Sequence, residues 1–317
     1  MSEFISTREA YGEELCKLGA DENIVAFDAD LTICTMSMYF AKKYPERFIN
    51  AGIAECNMIG MAAGMAATGK TVFCHSFAMF TAGRGYDQIR NSVAYPNLNV
   101  KVIGTHAGLS VGEDGATHQC IEDLSLMRTI PGMTVICPAD AYETTQAVKA
   151  MAEYNGPCYL RLGRSPVENV TAAIPNYKFQ LGKGAMLKDG TDATIIATGL
   201  MVQIALEARK KLEAEGIHVR VIDMHTIKPI DSEIILKAAR ETGAVVTTEE
   251  HNIIGGLGSA VMEVLGEECP VPVSRLGVED VFGHSGTAEA LMVKYGLTAE
   301  KTISKVKSVI SKKASIK

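Results

Sequence analysis

The feature that most constrains the fold is a regular alternation of short, β-rich apolar runs with stretches of helical periodicity. This alternation is typical of a mainly parallel sheet covered by helices on both faces, so we predict an α/β fold. The apolar runs predict strands at residues 24–27, 71–75, 100–105, 134–137, 158–162, 193–198, 218–224, 244–248 and 271–276. The helical patterns that alternate with them lie at 7–18, 54–67, 85–94, 121–129, 142–153, 202–215, 232–242, 258–265 and 299–313.

One segment interrupts this alternation. Residues 165–183 contain Pro166, Pro175 and several polar residues without a clear period, a composition that favours a connection between domains. We therefore predict two consecutive α/β domains, at 1–170 and 186–317, joined by a linker at 171–185.

The composition excludes several classes of function. The chain has 317 residues, of which 47% are hydrophobic, and this suffices for two domains with large cores. Its net charge of −6, without any stripe of Lys and Arg, argues against a nucleic-acid partner. No apolar run reaches the about 18 residues that a membrane helix needs, and the polar N-terminus lacks a signal-peptide pattern. We expect no membrane association.

The eight cysteines are scattered and form no Cys-x-x-Cys pair, which argues against a zinc site or a thioredoxin-like motif. Most of them lie in apolar runs, as reduced core residues do, so we expect a soluble, cytoplasmic protein. No spacing of His and Asp matches a standard zinc signature, and we predict no metal site on this chain.

A carboxylate stands at the entrance of an apolar helix. In the run 48–69, FINAGIAECNMIGMAAGMAATG, Glu55 precedes small and apolar residues that suggest a helix packed closely on all sides. An acid in the first turn stabilises a helix through the macrodipole, and this role alone would explain Glu55. Burial would also raise its pKa toward the range that is useful for proton transfer, which favours a catalytic role. The residue itself leaves both interpretations open.

Polar and aromatic residues follow several of the predicted strands, at the edge where ligands bind in open α/β sheets. Asp30 follows the first strand, Phe77 and Phe80 follow the second, and His106 follows the third. Each has an ordinary alternative: Asp30 as a turn residue or cap, the aromatic residues as core, and His106 as a hydrogen-bonded strand end.

The connection after His106 favours chemistry more clearly. Residues 108–119, GLSVGEDGATHQ, place Asp114 and His118 on a glycine-rich loop that offers little packing, and binding groups concentrate on such loops. Arg164 follows the strand predicted at 158–162.

Three segments identify a family. GIAECNM, YDQIRNSVAYPNLNVKVIGTHAGLSVGEDGATHQ and LMRTIPGMTVICPAD resemble transketolase, and the resemblance covers nearly the full chain. It implies a pyrimidine-binding thiamine-diphosphate domain at 1–170 and a transketolase C-terminal domain at 186–317, as in the C-terminal subunit of a split transketolase. The implied activity is reversible transfer of a two-carbon ketol group from a ketose phosphate to an aldose phosphate.

The resemblance also implies roles for particular residues. Glu55 is similar to the glutamate that hydrogen-bonds N1′ of the aminopyrimidine of thiamine diphosphate and so activates the C2 proton for removal. Phe77 and Phe80 resemble the aromatic wall that stacks on this ring. The residues that resemble the binding groups for the sugar and its phosphate are Arg8, Asp30, His106, Asp114, His118 and Arg164, and His106 and His118 join Glu55 as catalytic candidates.

The chain departs from the family pattern in three places. Cys34 stands where many relatives have a serine near the substrate phosphate, and Thr81 to Arg84 lacks a third aromatic residue that some relatives have. The family binds the diphosphate and Mg²⁺ through a Gly-Asp-Gly motif followed by Asn, and this chain has no Gly-Asp-Gly. The resemblance therefore implies an N-terminal subunit that holds the diphosphate and the metal, in an α2β2 heterotetramer.

Three alternatives remain at this point: the β subunit of a 2-oxo-acid decarboxylase complex, a 1-deoxyxylulose-5-phosphate synthase, and a non-catalytic assembly subunit. The loop GEDGATHQ and His106 favour sugar chemistry over the first. The second usually has Asp-Arg where this chain has Thr105 and His106. An intact Glu55, His106 and His118 argue against the third.

Overall fold

The computed structural model describes residues 4–175 and 177–316, which form two consecutive α/β units. The strands are β1 (Phe4–Ser6), β2 (Ile24–Asp28), β3 (Phe48–Asn50), β4 (Thr71–Phe77), β5 (Val100–Thr105), β6 (Thr134–Ile136), β7 (Cys158–Arg161), β8 (Pro166–Glu168), β9 (Ala185–Lys188), β10 (Ala193–Ala197), β11 (Val219–Asp223), β12 (Thr226–Lys228), β13 (Val245–Asn252) and β14 (Val273–Val278). The α-helices are α1 (Thr7–Leu18), α2 (Thr32–Thr35), α3 (Met38–Lys43), α4 (Glu55–Ala66), α5 (Tyr86–Gln88), α6 (Asp123–Thr129), α7 (Ala141–Glu153), α8 (Met201–Ala214), α9 (Ser232–Thr242), α10 (Leu257–Glu268), α11 (Ala288–Lys294) and α12 (Ala299–Ile316).

Both units are built on mainly parallel sheets, which confirms the predicted α/β fold. The larger sheet has the order β12-β6-β7-β5-β4-β2-β3, and the smaller one has the order β14-β13-β10-β11-β9. Within these two sheets, as far as the structure describes them, only the edge strands β12 and β9 pair with their neighbours in the antiparallel sense. β1 and β8 form a separate antiparallel pair. All nine predicted strands are present, with ends that differ by up to four residues from the predicted ones.

The larger sheet is buried on both faces because its strands are apolar along their whole length. Val25 and Val72 point into a core that includes residues of α4, whereas Ile24 and Phe73 point into a second core that includes residues of α1 and α7. This double cover explains why the strands appear in the sequence as continuous apolar runs rather than as alternating ones.

A strand of the second unit completes the sheet of the first. β12 pairs with β6, and Thr226 lies opposite Ile136. The ammonium group of Lys228 donates hydrogen bonds to the backbone oxygens of Arg128 at 2.9 Å and Ile130 at 2.5 Å. The two units are therefore joined by backbone pairing in addition to side-chain packing.

Helix α4 begins at Glu55, but the prediction that it is packed on all sides is wrong. Met58 and Ile59 are buried, whereas Asn57, Gly60 and Gly64 are exposed. A Cβ atom added at either glycine would meet no other atom within 4 Å. Small residues alone do not reveal whether a helix face is covered, and here one face is open.

The helix predicted at 85–94 is also different in the structure. The backbone is π-helical at Met79–Arg84, forms the short helix α5, and is π-helical again at Ile89–Ala94. The amide of Gly85 donates to the backbone oxygens of both Phe80 and Thr81 at 3.2 Å. π-Helical turns are rare in proteins, and those that occur often lie at functional sites.

None of the helices in the described part of the chain has both the length and the apolar character that crossing a bilayer requires.

Candidate active site

Glu55 is buried and ion-paired. Its side chain is 2% exposed at the first position of α4, and its Oε2 accepts a hydrogen bond from Nη1 of Arg84 at 2.7 Å. The guanidinium of Arg84 also lies over the ring of Phe80, with Cζ 4.8 Å from the ring centroid. Arg84 itself is half-exposed, because it closes the first π-helical segment at the protein surface.

Four of the predicted site residues form one cluster of rings, which we call the ring cluster: Phe77, Phe80, His106 and His118. Phe77 stacks on His106 at 4.0 Å between centroids and on Phe80 at 5.9 Å. His118 approaches Phe80 edge-on at 5.2 Å. The ends of β4 and β5 are neighbours in the sheet, and this places Phe77 and His106, which are 29 positions apart in the sequence, side by side.

His106 is neutral at physiological pH. Burial, together with the positive charges of Arg8 and Arg164, lowers the pKa of this histidine to about 3. Its backbone is in the left-handed region, with φ of 55°, and Nδ1 is hydrogen-bonded to Oγ1 of Thr105 at 3.0 Å. A neutral imidazole can donate one hydrogen bond and accept another, which suits a sugar hydroxyl.

Two arginines approach the ring cluster from different elements. Arg8, on α1, donates through Nη1 to the backbone oxygen of Cys34 at 2.6 Å, and its Nε is buried without a hydrogen-bond partner among the described residues. Arg164, after β7, donates to the backbone oxygen of Val111 and lies 3.4 Å from Oε2 of Glu113. Burial and the charge of Arg164 both lower the pKa of Arg8, although the nearby Cys34 opposes them. Two guanidinium groups at one site attract an anion.

The two aspartates lie farther out. Asp30 is exposed, in the left-handed conformation, and its Oδ1 accepts from Nδ2 of Asn50 at 3.1 Å. Asp114 is exposed on the glycine-rich loop. Among the described residues, no hydrogen bond joins Asp114 to His106 or His118.

Sequence reasoning missed the carboxylate that orders the loop after β2. Asp28 is buried, and its oxygens accept from the amide of Leu31 at 2.6 Å and from the hydroxyls of Thr35 at 2.7 Å and Ser37 at 2.9 Å. These bonds fix the turn that carries Asp30. Burial raises the pKa of Asp28, and the three hydrogen bonds oppose this rise.

Sequence reasoning also missed the residues that fix the glycine-rich loop from the second unit. Oε1 of Glu250 accepts from the amide of Ser110 at 2.6 Å. The side-chain amide of Gln119 donates to the backbone oxygens of Gly112 at 3.2 Å and His284 at 3.0 Å. Contacts between residues that are more than 130 positions apart cannot be recognised from a single sequence.

The glycine-rich turn before α10 is not an anion site. Both oxygens of Glu249 accept hydrogen bonds there, from the amide of Leu257 at 2.7 Å and that of Gly258 at 2.8 Å. The helix N-terminus is therefore already capped by a carboxylate of the chain itself.

Comparison with known proteins agrees with this geometry. Residues 3–169 match the family described as "Transketolase, pyrimidine binding domain", and residues 182–302 match "Transketolase, C-terminal domain". The chain belongs to the transketolase family. Members of this family depend on thiamine diphosphate.

Two relatives and one solved structure define the similarity more closely. The chain is 50% identical to the "Putative transketolase C-terminal section" of Methanocaldococcus jannaschii, over 96% of each chain. It is 46% identical to the 6-deoxy-6-sulfo-D-fructose transketolase subunit of Clostridium sp. (strain MSTE9), over 92% of this chain and 90% of the relative. A structure described as "Split gene transketolase, inactive beta4 tetramer" superposes with a TM-score of 0.89 at 52% identity, covering 98% of this chain and 99% of the other. The chain is thus similar to the C-terminal part of a split transketolase.

Proposed function

We propose that this chain is the pyrimidine-binding subunit of a two-chain transketolase that transfers a two-carbon ketol group between sugar phosphates. The observation that carries the proposal is the position of Glu55, a buried carboxylate at the start of α4. Glu55 and Phe80 both contact one planar group, the guanidinium of Arg84. In this position a carboxyl oxygen can hold a proton against the ring nitrogen of an aminopyrimidine while the aromatic residue stacks on its face.

The residues present fit thiamine diphosphate. The planar guanidinium of Arg84 donates an N–H hydrogen bond to Glu55 and lies over the ring of Phe80. An aminopyrimidine can make the same two kinds of contact. When bound, thiamine diphosphate supplies the carbon nucleophile that breaks and forms the carbon–carbon bond. The part of this chain is to orient the pyrimidine through Phe77 and Phe80 and to hold a proton at Glu55.

The histidines are assigned to the sugar. His106 is neutral and buried against Phe77, so it can exchange hydrogen bonds with a hydroxyl without carrying a charge. His118 lies at the outer side of the ring cluster, where its imidazole can accept a proton from a sugar hydroxyl or return it. Asp30 and Asp114, which are exposed, are assigned to hydroxyl groups farther along the sugar.

Arg8 and Arg164 are assigned to the anionic end of the sugar. Guanidinium groups recognise the charge and oxygen geometry of a phosphate, and a sulfonate presents similar oxygens. One relative is named for a sulfonated fructose. We therefore propose a substrate class of anionic ketoses and aldoses, with the sugar phosphates of the pentose phosphate pathway as its first members.

The proposal requires a second chain. The sequence contains no Gly-Asp-Gly, so we assign the diphosphate and Mg²⁺ to an N-terminal transketolase subunit and propose an α2β2 heterotetramer. The open face of α4 next to Glu55 is a candidate for part of this contact. All eight cysteines are free thiols, in keeping with the proposed cytoplasmic location.

The test is reconstitution. We expect the purified chain alone to show no ketol transfer and to bind thiamine diphosphate weakly, and we expect addition of the N-terminal subunit with Mg²⁺ to restore both. Glu55→Gln should bind the partner and abolish turnover, whereas Glu267→Gln, at an exposed position of α10, should behave as the wild type. Turnover by the single chain, or full turnover by the reconstituted Glu55→Gln variant, would contradict the proposal.

A further inference from the structure

Arg84 engages the two side chains on which the proposed pyrimidine site depends. Its Nη1 donates to Oε2 of Glu55 at 2.7 Å, and its Cζ stands 4.8 Å from the centroid of Phe80. A guanidinium is planar and cationic, with N–H donors at its edge and a face that stacks on aromatic rings. Arg84 therefore makes an edge contact and a face contact at the same time.

An aminopyrimidine would need the same two contacts, if the proposed function is correct. Its nitrogen edge would meet the carboxyl group of Glu55, and its ring would stack on the wall that includes Phe80. Two planar groups cannot occupy one place between the same carboxylate and the same aromatic face. Binding of the pyrimidine and the present position of Arg84 exclude each other.

The local structure allows Arg84 to leave. Its side chain is half-exposed, so the guanidinium can turn into water. Glu55 is 2% exposed, so the pyrimidine has to replace the contact that the carboxylate loses. Arg84 ends a π-helical segment and stands between Gly83 and Gly85. Glu55, in contrast, is fixed in the first turn of a regular helix that is anchored in the core by Met58 and Ile59.

We propose that Arg84 closes the pyrimidine half-site of the free chain by imitating the aminopyrimidine between Glu55 and Phe80, and that it swings out when the cofactor is bound. The free chain is then present mostly in a closed form. Its affinity for a pyrimidine falls in proportion to the open fraction, and a second subunit that holds the diphosphate compensates for the cost of opening.

The experiment measures binding of 4-amino-5-hydroxymethyl-2-methylpyrimidine to the isolated chain by calorimetry. Arg84→Met keeps an unbranched side chain and removes the planar cation. We expect it to bind the pyrimidine at least about tenfold more tightly than the wild type, which corresponds to an open fraction of about one tenth or less. Arg84→Lys, which keeps the charge without the plane, should fall between the two.

Arg90→Met is the matched control, since Arg90 belongs to the second π-helical segment and, among the described residues, its guanidinium donates only to the neighbouring Asn91. It should bind as the wild type does. If Arg84→Met binds the pyrimidine no more tightly than the wild type, the inference is wrong. The proposed function is judged separately, by the loss of turnover in the reconstituted Glu55→Gln variant.

Discussion

A buried pair of carboxyl groups between the two units makes the stability of this protein depend on pH. Glu143 on α7 and Asp223 at the end of β11 are both fully buried. Oε2 of Glu143 accepts from the amide of Ala139 at 2.6 Å, and its Oε1 accepts from the hydroxyl of Tyr177. Among the described residues, the two oxygens of Asp223 receive no hydrogen bond from an ordinary donor. We infer that one of the two carboxyl groups is protonated and donates to the other.

The direction of the effect follows from the burial. Loss of solvation raises the pKa of Glu143 to about 7, and it raises the pKa of Asp223 as well, with the charge of Glu143 adding to the rise. The folded protein then holds a proton that the unfolded chain has released. The stabilising contribution is fully present below about pH 4.5 and is lost as the pH rises through about 7. The free energy of unfolding falls by about 1.4 kcal/mol per pH unit in this window, or roughly 3 kcal/mol in all.

The perturbation is Asp223→Asn, which removes one of the two charges and supplies an amide donor to Glu143. We expect the free energy of unfolding in urea, measured from pH 5 to pH 8, to fall less steeply for this variant, so that the difference between the two profiles grows by roughly 2–3 kcal/mol toward alkaline pH. The difference cancels the contributions of other titrating groups. Glu267→Gln, an exposed control, should give a profile parallel to that of the wild type. Parallel profiles for Asp223→Asn and the wild type would refute the shared proton.

Two further predictions concern the site and the loop beside it. In the reconstituted enzyme, His106→Ala or His118→Ala should lower kcat/KM for phosphorylated sugars, which corresponds to a loss of roughly 2–4 kcal/mol of transition-state stabilisation. The Kd for thiamine diphosphate should not change. Loss of cofactor affinity with normal sugar kinetics would contradict this prediction. Gly108→Ala should lower the free energy of unfolding by roughly 2–4 kcal/mol, because φ is 84° and the new Cβ would lie 2.3 Å from the carboxyl carbon of Glu250. Gly132→Ala is its control, with φ of 76° and open space around the new Cβ, and it should cost only about 1 kcal/mol in the same urea titration.

The sequence predicts the long elements well and the short ones poorly. The bounds of α1, α9 and β5 agree with the predicted ones residue by residue. In contrast, β3 and β12 have three residues each, too few to establish a period of two. They form because neighbouring strands provide hydrogen-bond partners, and those neighbours are distant in the sequence.

Some residues of the candidate site can also be placed from the sequence, and others cannot. The rule that ligand groups collect at the carboxyl ends of parallel strands places Phe77 and His106 together without any coordinates. The same rule says nothing about Arg84, whose contact with Glu55 requires the wide turns of a π-helical segment. The helix that periodicity predicts begins at residue 85, one position after Arg84, so helical periodicity gives no indication of this pair.

The second unit contributes to the candidate site by fixing the loop 108–119, which belongs to the first unit. The loop 108–119 carries His118 and leads away from His106, and three of its glycines have positive φ, so its own backbone gives it little stiffness. Glu250 anchors the amide at one end of this loop, and Gln119 ties its other end to the oxygen of His284. Because the anchors lie across the boundary between the units, a movement of one unit against the other would shift His118 relative to Phe77. The position of the His118 imidazole therefore depends on both units, and the backbone pairing of β12 with β6 holds the units in the arrangement that this position requires.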